Sequence, residues 1–233
     1  MIISGIQKFT VLDYPDKTAC IIFTPGCNFR CGYCHNPEFV LPVEIKKIQH
    51  SFFDEEPFFK FLEERKGKLD GVVITGGEPT LQPDLIEFMG RIQEKGFLVK
   101  LDSNGARPEI LEKAYEAGVL DYVAMDIKTD AENYRQLVGD VGDPEQIKKS
   151  IALIMSSGIP YEFRTTIVKE LHTPEIIENM AGMISGATHW FGQTFRPGHT
   201  LDPKYAAYQP YALSEMEALR EIVARHVDNA VIR

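Results

Sequence analysis

Cysteine is scarce in this chain: its 233 residues hold four. That is too few for a disulfide scaffold. Long apolar runs are lacking too. No stretch of about 18 apolar residues occurs, so no membrane span is expected. The opening MIISGIQKFTVLDYPDK has too short an apolar part, and meets charge too soon, for a secretory signal. The expectation is a cytoplasmic protein with reduced thiols. Basic residues are outnumbered, 25 Lys and Arg against 34 Asp and Glu, for a formal charge of -9. Phosphate neutralisation favours basic proteins, so no nucleic-acid partner is expected. A small anionic substrate stays compatible with one local basic cluster, and the remaining acidity serves solubility. Low-complexity linkers are also missing. One domain over 1–233 is expected, with a leader at 1–18, a barrel core at 19–200, and a C-terminal loop, helix and short strand at 201–233.

What is present is enough for a core, since 44% of the residues are hydrophobic. Short β-rich runs alternate with helical patterns. The runs are ACIIFT (19–24), GVVITG (71–76), FLVKLDS (97–103), DYVAMDI (121–127), YEFRTTIV (161–168) and HWFGQTF (189–195). Several are almost continuously apolar, as strands buried on both faces of a parallel sheet are. Between them, PFFKFLEERKG, PDLIEFMGRIQEKG, PEILEKAYEAG, DPEQIKKSIALIMSSG and TPEIIENMAGMISG read as helices. Most open with Pro in the first turn and stop at Gly. A last helix, SEMEALREIVARHV (214–227), has Ser214 as its expected cap and Glu217 three residues on. At least six strand–helix units fit a whole or partial TIM-like barrel, or a doubly wound sheet.

The unusual residues fall just after strands. The cysteine loop follows 19–24, GGEPT ends 71–76, DSNG ends 97–103, DIK ends 121–127, and RPGH follows 189–195. In parallel barrels chemistry gathers on the C-terminal rim, so one central site is expected.

The densest stretch is GCNFRCGYCHNPE (26–38), with Cys27, Cys31 and Cys34 in a C-x3-C-x2-C spacing. Three thiolates so placed suit zinc or an iron–sulfur cluster. Structural zinc sites close four positions, and the fourth ligand would be Cys20 or His35. Cys20 lies inside an apolar strand, where an inert thiol is the ordinary reading. A [4Fe–4S] cluster takes four cysteines as a rule, and three would leave one iron open to a substrate or cofactor.

The C-x3-C-x2-C spacing with Tyr33 before the last Cys resembles the signature of the radical S-adenosylmethionine (SAM) enzymes, and GGEP at 76–79 resembles their second motif. The resemblance implies an α/β fold, the partial (β/α)6 TIM-like barrel of the radical SAM type. It implies a [4Fe–4S] cluster whose unique iron binds the amino and carboxylate groups of SAM. An electron from the cluster then cleaves SAM to methionine and a 5′-deoxyadenosyl radical, which removes a hydrogen atom. HNP after Cys34 is similar to the glycyl-radical-enzyme activating enzymes. The leader FTVLDYPDKTACIIFTPGCNFRC most resembles the activating proteins of anaerobic ribonucleoside-triphosphate reductase. The implied partners are a glycyl radical enzyme as protein substrate, and a flavodoxin or ferredoxin as electron donor.

The resemblance also suggests roles. Cys27, Cys31 and Cys34 would hold the cluster. Gly76 and Gly77 would let backbone approach the SAM ammonium, with Glu78 nearby; otherwise they punctuate a strand end. Asp102, Ser103 and Asn104 match a D-[ST]-N-G segment that helps bind SAM, although such residues also make an ordinary turn. Asp126 and Lys128 match a D-x-K whose lysine meets the SAM carboxylate; Asp102 and Asp126 would also hold a monovalent cation. Arg164, inside an apolar strand, needs a carboxylate from SAM, from the partner, or from a structural salt bridge. His199 resembles a histidine that contacts SAM, though FRPGHTLD departs from the family form. Tyr33 and His35 would touch the adenine or merely pack locally. Asp13-Tyr14-Pro15-Asp16 stands where several activating enzymes carry D-G-P-G, a turn that meets the partner's glycine loop. The phenylalanines at 52, 53, 58, 59 and 61 read as core. Two rival functions remain: radical chemistry on a small molecule, in the manner of 7-carboxy-7-deazaguanine synthase, and a non-enzymatic zinc or redox-sensing module.

Overall fold

The computed structural model describes every residue from Met1 to Arg233. The strands lie side by side in the order in which they occur along the chain. The chain forms two compact units: Met1–Asn28, Glu38–Ser103 and Glu109–Val123 make the first, and Phe29–Pro37, Asn104–Pro108 and Ala124–Arg233 the second.

The first unit contains β1 (Gly5–Thr10), β2 (Ala19–Thr24), α1 (Pro42–Ile48), α2 (Glu55–Glu64), β3 (Gly71–Gly76), α3 (Leu85–Glu94), β4 (Leu98–Ser103) and most of α4 (Pro108–Glu116). β2, β3 and β4 pair in parallel, as their uniform apolar runs require, and Val72, Val73 and Ile74 are all buried. β1 was expected only as leader. It pairs antiparallel with β2 and keeps three consecutive residues in solvent, so it has no apolar run to betray it. Of the phenylalanines, Phe58 and Phe59 are buried and pack on Phe88 of α3; Phe52, Phe53 and Phe61 are half-buried.

The loop after β1 explains its departure from D-G-P-G. Tyr14 is buried and joins Ala19, Ile21 and Val73 in a core cluster, with its ring 5.8 Å from that of Tyr122. Asp16 takes φ 57, the left-handed conformation a glycine would adopt. Asp tolerates that region better than most side chains.

β5 (Tyr122–Asp126) runs on into the second unit, which contains α5 (Tyr134–Val138), α6 (Pro144–Ser156), β6 (Tyr161–Ile167), α7 (Pro174–Met183), β7 (His189–Thr194), α8 (Leu213–Val223) and β8 (Asn229–Ile232). β6, β7 and β8 pair in parallel. Asp143 and Thr173 cap α6 and α7 by accepting backbone N–H bonds from Glu145 and Ile176. The cap of α8 differs from expectation. Ala212, not Ser214, is its N-cap, because the Glu215 carboxylate reaches back 2.8 Å to the Ala212 N–H. Glu217 instead pairs with Arg220.

Candidate active site

The first unit contains Cys27, Gly76, Gly77, Glu78, Asp102 and Ser103. Its geometry is set where β3 ends beside β2. The Gly77 N–H donates to Thr24 O at 2.9 Å, the Glu78 N–H to Gly26 O at 2.7 Å, and the Gln82 side chain to Pro25 O at 2.8 Å. The first motif is therefore rooted in the second. A Cβ at Gly77 would lie 2.0 Å from Gly26 O, and Gly76 takes φ +118 with Thr24 backbone where its Cβ would be. These glycines admit the root of the cysteine loop, a role that needs no ligand. Glu78 is 1% exposed, and one carboxylate oxygen accepts from Thr80 Oγ1 at 2.5 Å and Ser103 Oγ at 2.9 Å. The carboxylate thus ties the end of β4 to the end of β3. Lys100, buried in β4, stands 3.9 Å from Asp102 and 4.9 Å from the Tyr122 ring centre.

The second unit contains Cys31, Tyr33, Cys34, His35, Asn104, Asp126, Lys128, Arg164 and His199. Cys31 and Cys34 share a turn closed by Cys34 N–H to Cys31 O at 3.0 Å. Burial pushes the Cys31 thiol up to about 11. Tyr33, between them, is 4% exposed, and its hydroxyl is buried without a hydrogen-bond partner. Native structures rarely leave such a group orphaned. His35 stacks on Phe195 at 5.5 Å. Asn104 accepts from the Ala106 N–H at 3.0 Å, the ordinary turn geometry for Asn. His199 is exposed in its loop.

At the ends of β5 and β6, Asp126 accepts from Arg164 Nε at 2.9 Å and from Lys128 Nζ at 3.1 Å. The carboxylate that Arg164 needed is thus supplied inside the chain. Burial alone would raise the Asp126 carboxyl, but the two cations outweigh it and bring it down to about 2. Burial likewise opposes charge on Lys128, yet Asp126 holds that ammonium well above its ordinary value.

His172 had no signal in the sequence. It is fully buried, its Nδ1 accepts the Val168 N–H at 2.9 Å, and its Nε2 bonds the Lys128 carbonyl at 2.8 Å. Since Nδ1 accepts, Nε2 carries the proton and donates. The ring is held neutral, because burial lowers its pKa. It fixes the backbone of Lys128, and its edge faces Tyr33 at 6.4 Å.

The sequence model of the Radical SAM superfamily matches residues 21–182. This chain belongs to the radical SAM superfamily. It is 35% identical over 237 residues, all of this chain and 95% of the other, to a Methanocaldococcus jannaschii protein provisionally named glycyl-radical enzyme activating enzyme. It is 28% identical over 235 residues to the pyruvate formate-lyase-activating enzyme of Clostridium pasteurianum, covering 93% of this chain and 91% of that one. Among solved structures, Streptococcus suis SuiB superposes with a TM-score of 0.63 at 16% identity, over 91% of this chain and 49% of its own. TYW1 with a lysine-pyruvate adduct bound superposes with a TM-score of 0.59 at 16% identity, over 90% of this chain and 74% of its own. These likenesses show the fold, the partial TIM-like barrel expected. The chain is a radical SAM enzyme of the glycyl-radical-enzyme activating kind, which removes the zinc and redox-sensing alternative. The family implies a [4Fe–4S] cluster and SAM, and the residues suit them. Three thiols within eight residues are donors of the kind such a cluster takes. The Tyr33 hydroxyl, buried without a hydrogen-bond partner, is a polar group that a bound ligand would satisfy. Cys20 stays outside the site, fully buried in β2 with its thiol pushed up to about 12 by burial.

Proposed function

We propose that this activating enzyme takes a hydrogen atom from a backbone glycine of anaerobic ribonucleoside-triphosphate reductase, with a flavodoxin or ferredoxin as its electron donor, in the cytoplasm. The observation that carries this reading is the leader. Its sequence most resembles the reductase activators, and its turn keeps the left-handed residue at Asp16 while burying Tyr14. The tip beside it presents Val11 and Leu12 to solvent at 58% and 82% exposure, as a loop that meets a protein would.

In this reading Cys27, Cys31 and Cys34 hold the cluster. The bound cluster and SAM supply an electron and a 5′-deoxyadenosyl radical that abstracts hydrogen. Lys128, charged and fixed by Asp126 and His172, offers its ammonium to the SAM carboxylate. Tyr33 offers its orphaned hydroxyl, and His35 its ring, to the adenosyl part. Glu78 and Ser103 hold the two strand ends that face the methionine part, with Gly76, Gly77, Asp102 and Asn104 beside them. Arg164 keeps Asp126 ionised. His199 stands exposed to meet either SAM or the partner. A monovalent cation at Asp126 would share that carboxylate with Lys128 and Arg164.

The test is anaerobic mixing of the reconstituted enzyme, SAM and reductant with purified reductase, and in parallel with pyruvate formate-lyase. A glycyl-radical EPR doublet on the reductase is expected. A doublet on the lyase alone would overturn the partner assignment.

A further inference from the structure

The connection between β7 and α8 returns across the cysteine loop. The Leu201 N–H donates to Cys34 O at 3.1 Å and the Asp202 N–H to Gly32 O at 2.9 Å. Two carbonyls of the turn that carries Cys31 and Cys34 are thus held from one side. Just beyond, the Tyr205 ring packs against Gly32. A Cβ at residue 32 would sit 2.1 Å from Tyr205 Cε2. Tyr205 is 8% exposed, and its ring centre is 6.3 Å from that of Tyr33 and 4.6 Å from that of Tyr208.

The strap is stiff. Thr200 Oγ1 donates to Asp202 O at 3.0 Å, and the Asp202 carboxylate accepts the Lys204 N–H at 3.0 Å. Pro203 then starts a short 3-10 turn that ends at Ala207. Its far end is tied down where Gln209 N–H meets the Glu170 carboxylate at 3.0 Å and Tyr211 Oη donates to His172 O at 2.9 Å. A stiff segment, anchored at both ends, is what can hold an otherwise irregular loop in one shape.

We propose that Tyr205 is a positioning residue for the cluster. With the strap, it holds the Cys31–Cys34 turn in its ligating shape before iron arrives, and its ring shields that turn from water and oxygen. Gly32 is glycine because this ring occupies the place of its side chain. The proposal rests on the radical SAM reading for the identity of the cluster, but the packing of Tyr205 on Gly32 stands without it.

The experiment compares wild type with Tyr205→Ala, Tyr205→Phe, Gly32→Ala and the double variant Gly32→Ala/Tyr205→Ala. Amide exchange of residues 29–37 is measured on cluster-free protein, and iron and sulfide content and bleaching in air on reconstituted protein. Tyr205→Phe keeps the ring and should match wild type. Tyr205→Ala should exchange about ten-fold faster at the turn and bleach several-fold faster. Gly32→Ala should lose most of the cluster, and removing the Tyr205 ring in the double variant should restore part of it. Should Tyr205→Ala fail to fold by far-UV circular dichroism, Tyr205→Leu replaces it. Wild-type exchange and bleaching in the alanine or leucine variant, or full cluster content in Gly32→Ala, would overturn the proposal. A wild-type protein that takes up no cluster would count against the radical SAM reading, while the exchange rates would still decide on Tyr205.

Discussion

The backbone N–H of Glu78 donates to the carbonyl of Gly26 at 2.7 Å, one residue before the first cysteine of the loop. The motif after β3 is thereby a mechanical support for the motif after β2. Gly77 makes the approach possible, since any side chain there would collide with Gly26.

Gly77→Ala should therefore cost stability and loop geometry together. The clash is with backbone, which cannot swing aside, so a loss of about 3 kcal/mol is expected. Gly90→Ala is the control. Gly90 lies within α3, its added Cβ would be 3.6 Å from Val119, and Ala favours a helix by roughly 0.8 kcal/mol. Urea denaturation of the cluster-free proteins should move the two midpoints in opposite directions.

Asp126 makes a prediction about acid. Its folded pKa is depressed to about 2 from an ordinary 3.8. Its contribution is present above the ordinary value and is lost as pH falls from about 4 toward 2. Stability measured by denaturant titration across that window should fall in wild type. In Asp126→Asn this component should be missing, and stability at pH 7 should be lower, because Arg164 and Lys128 lose their shared counter-charge.

Trp190 is the single tryptophan and is buried, donating its indole N–H to Thr165 Oγ1 at 3.1 Å. Thr165→Val keeps the shape but strands that donor. A cost of about 1–3 kcal/mol is expected. Denaturation followed by Trp190 fluorescence reads the change directly.

His172→Phe tests the support of Lys128. The ring volume is kept while the bonds to the Lys128 carbonyl and the Val168 N–H are lost. The expected outcome is SAM binding weakened by roughly ten-fold in calorimetry with the reconstituted enzyme, against an unchanged iron content. Lost iron with unchanged SAM affinity would speak against the assignment.

Much of this was legible in the sequence. The six expected strands appear within a residue or two, because strands buried on both faces advertise themselves as apolar runs. Cys27, Cys31, Cys34 and GGEP stood out in the sequence because of their residue types and spacing. β1 did not, since an antiparallel edge with three consecutive residues in solvent has no apolar run. Ser214 misled because Glu215, not Glu217, reaches the helix start. His172 and Tyr205 were invisible for a common reason. Each acts on backbone atoms or on a glycine far away in the chain, and nothing in its own neighbourhood signals that.

The central claim is hydrogen abstraction from a partner's backbone glycine. The most direct measurement uses reductase made with deuterated glycine, mixed anaerobically with the reconstituted enzyme, SAM and reductant, with 5′-deoxyadenosine analysed by mass. The account predicts deuterium in the 5′-deoxyadenosine, in proportion to the glycyl radical counted by EPR, and neither in Cys31→Ala. Unlabelled 5′-deoxyadenosine, formed at the same rate whether or not the protein partner is present, would contradict it.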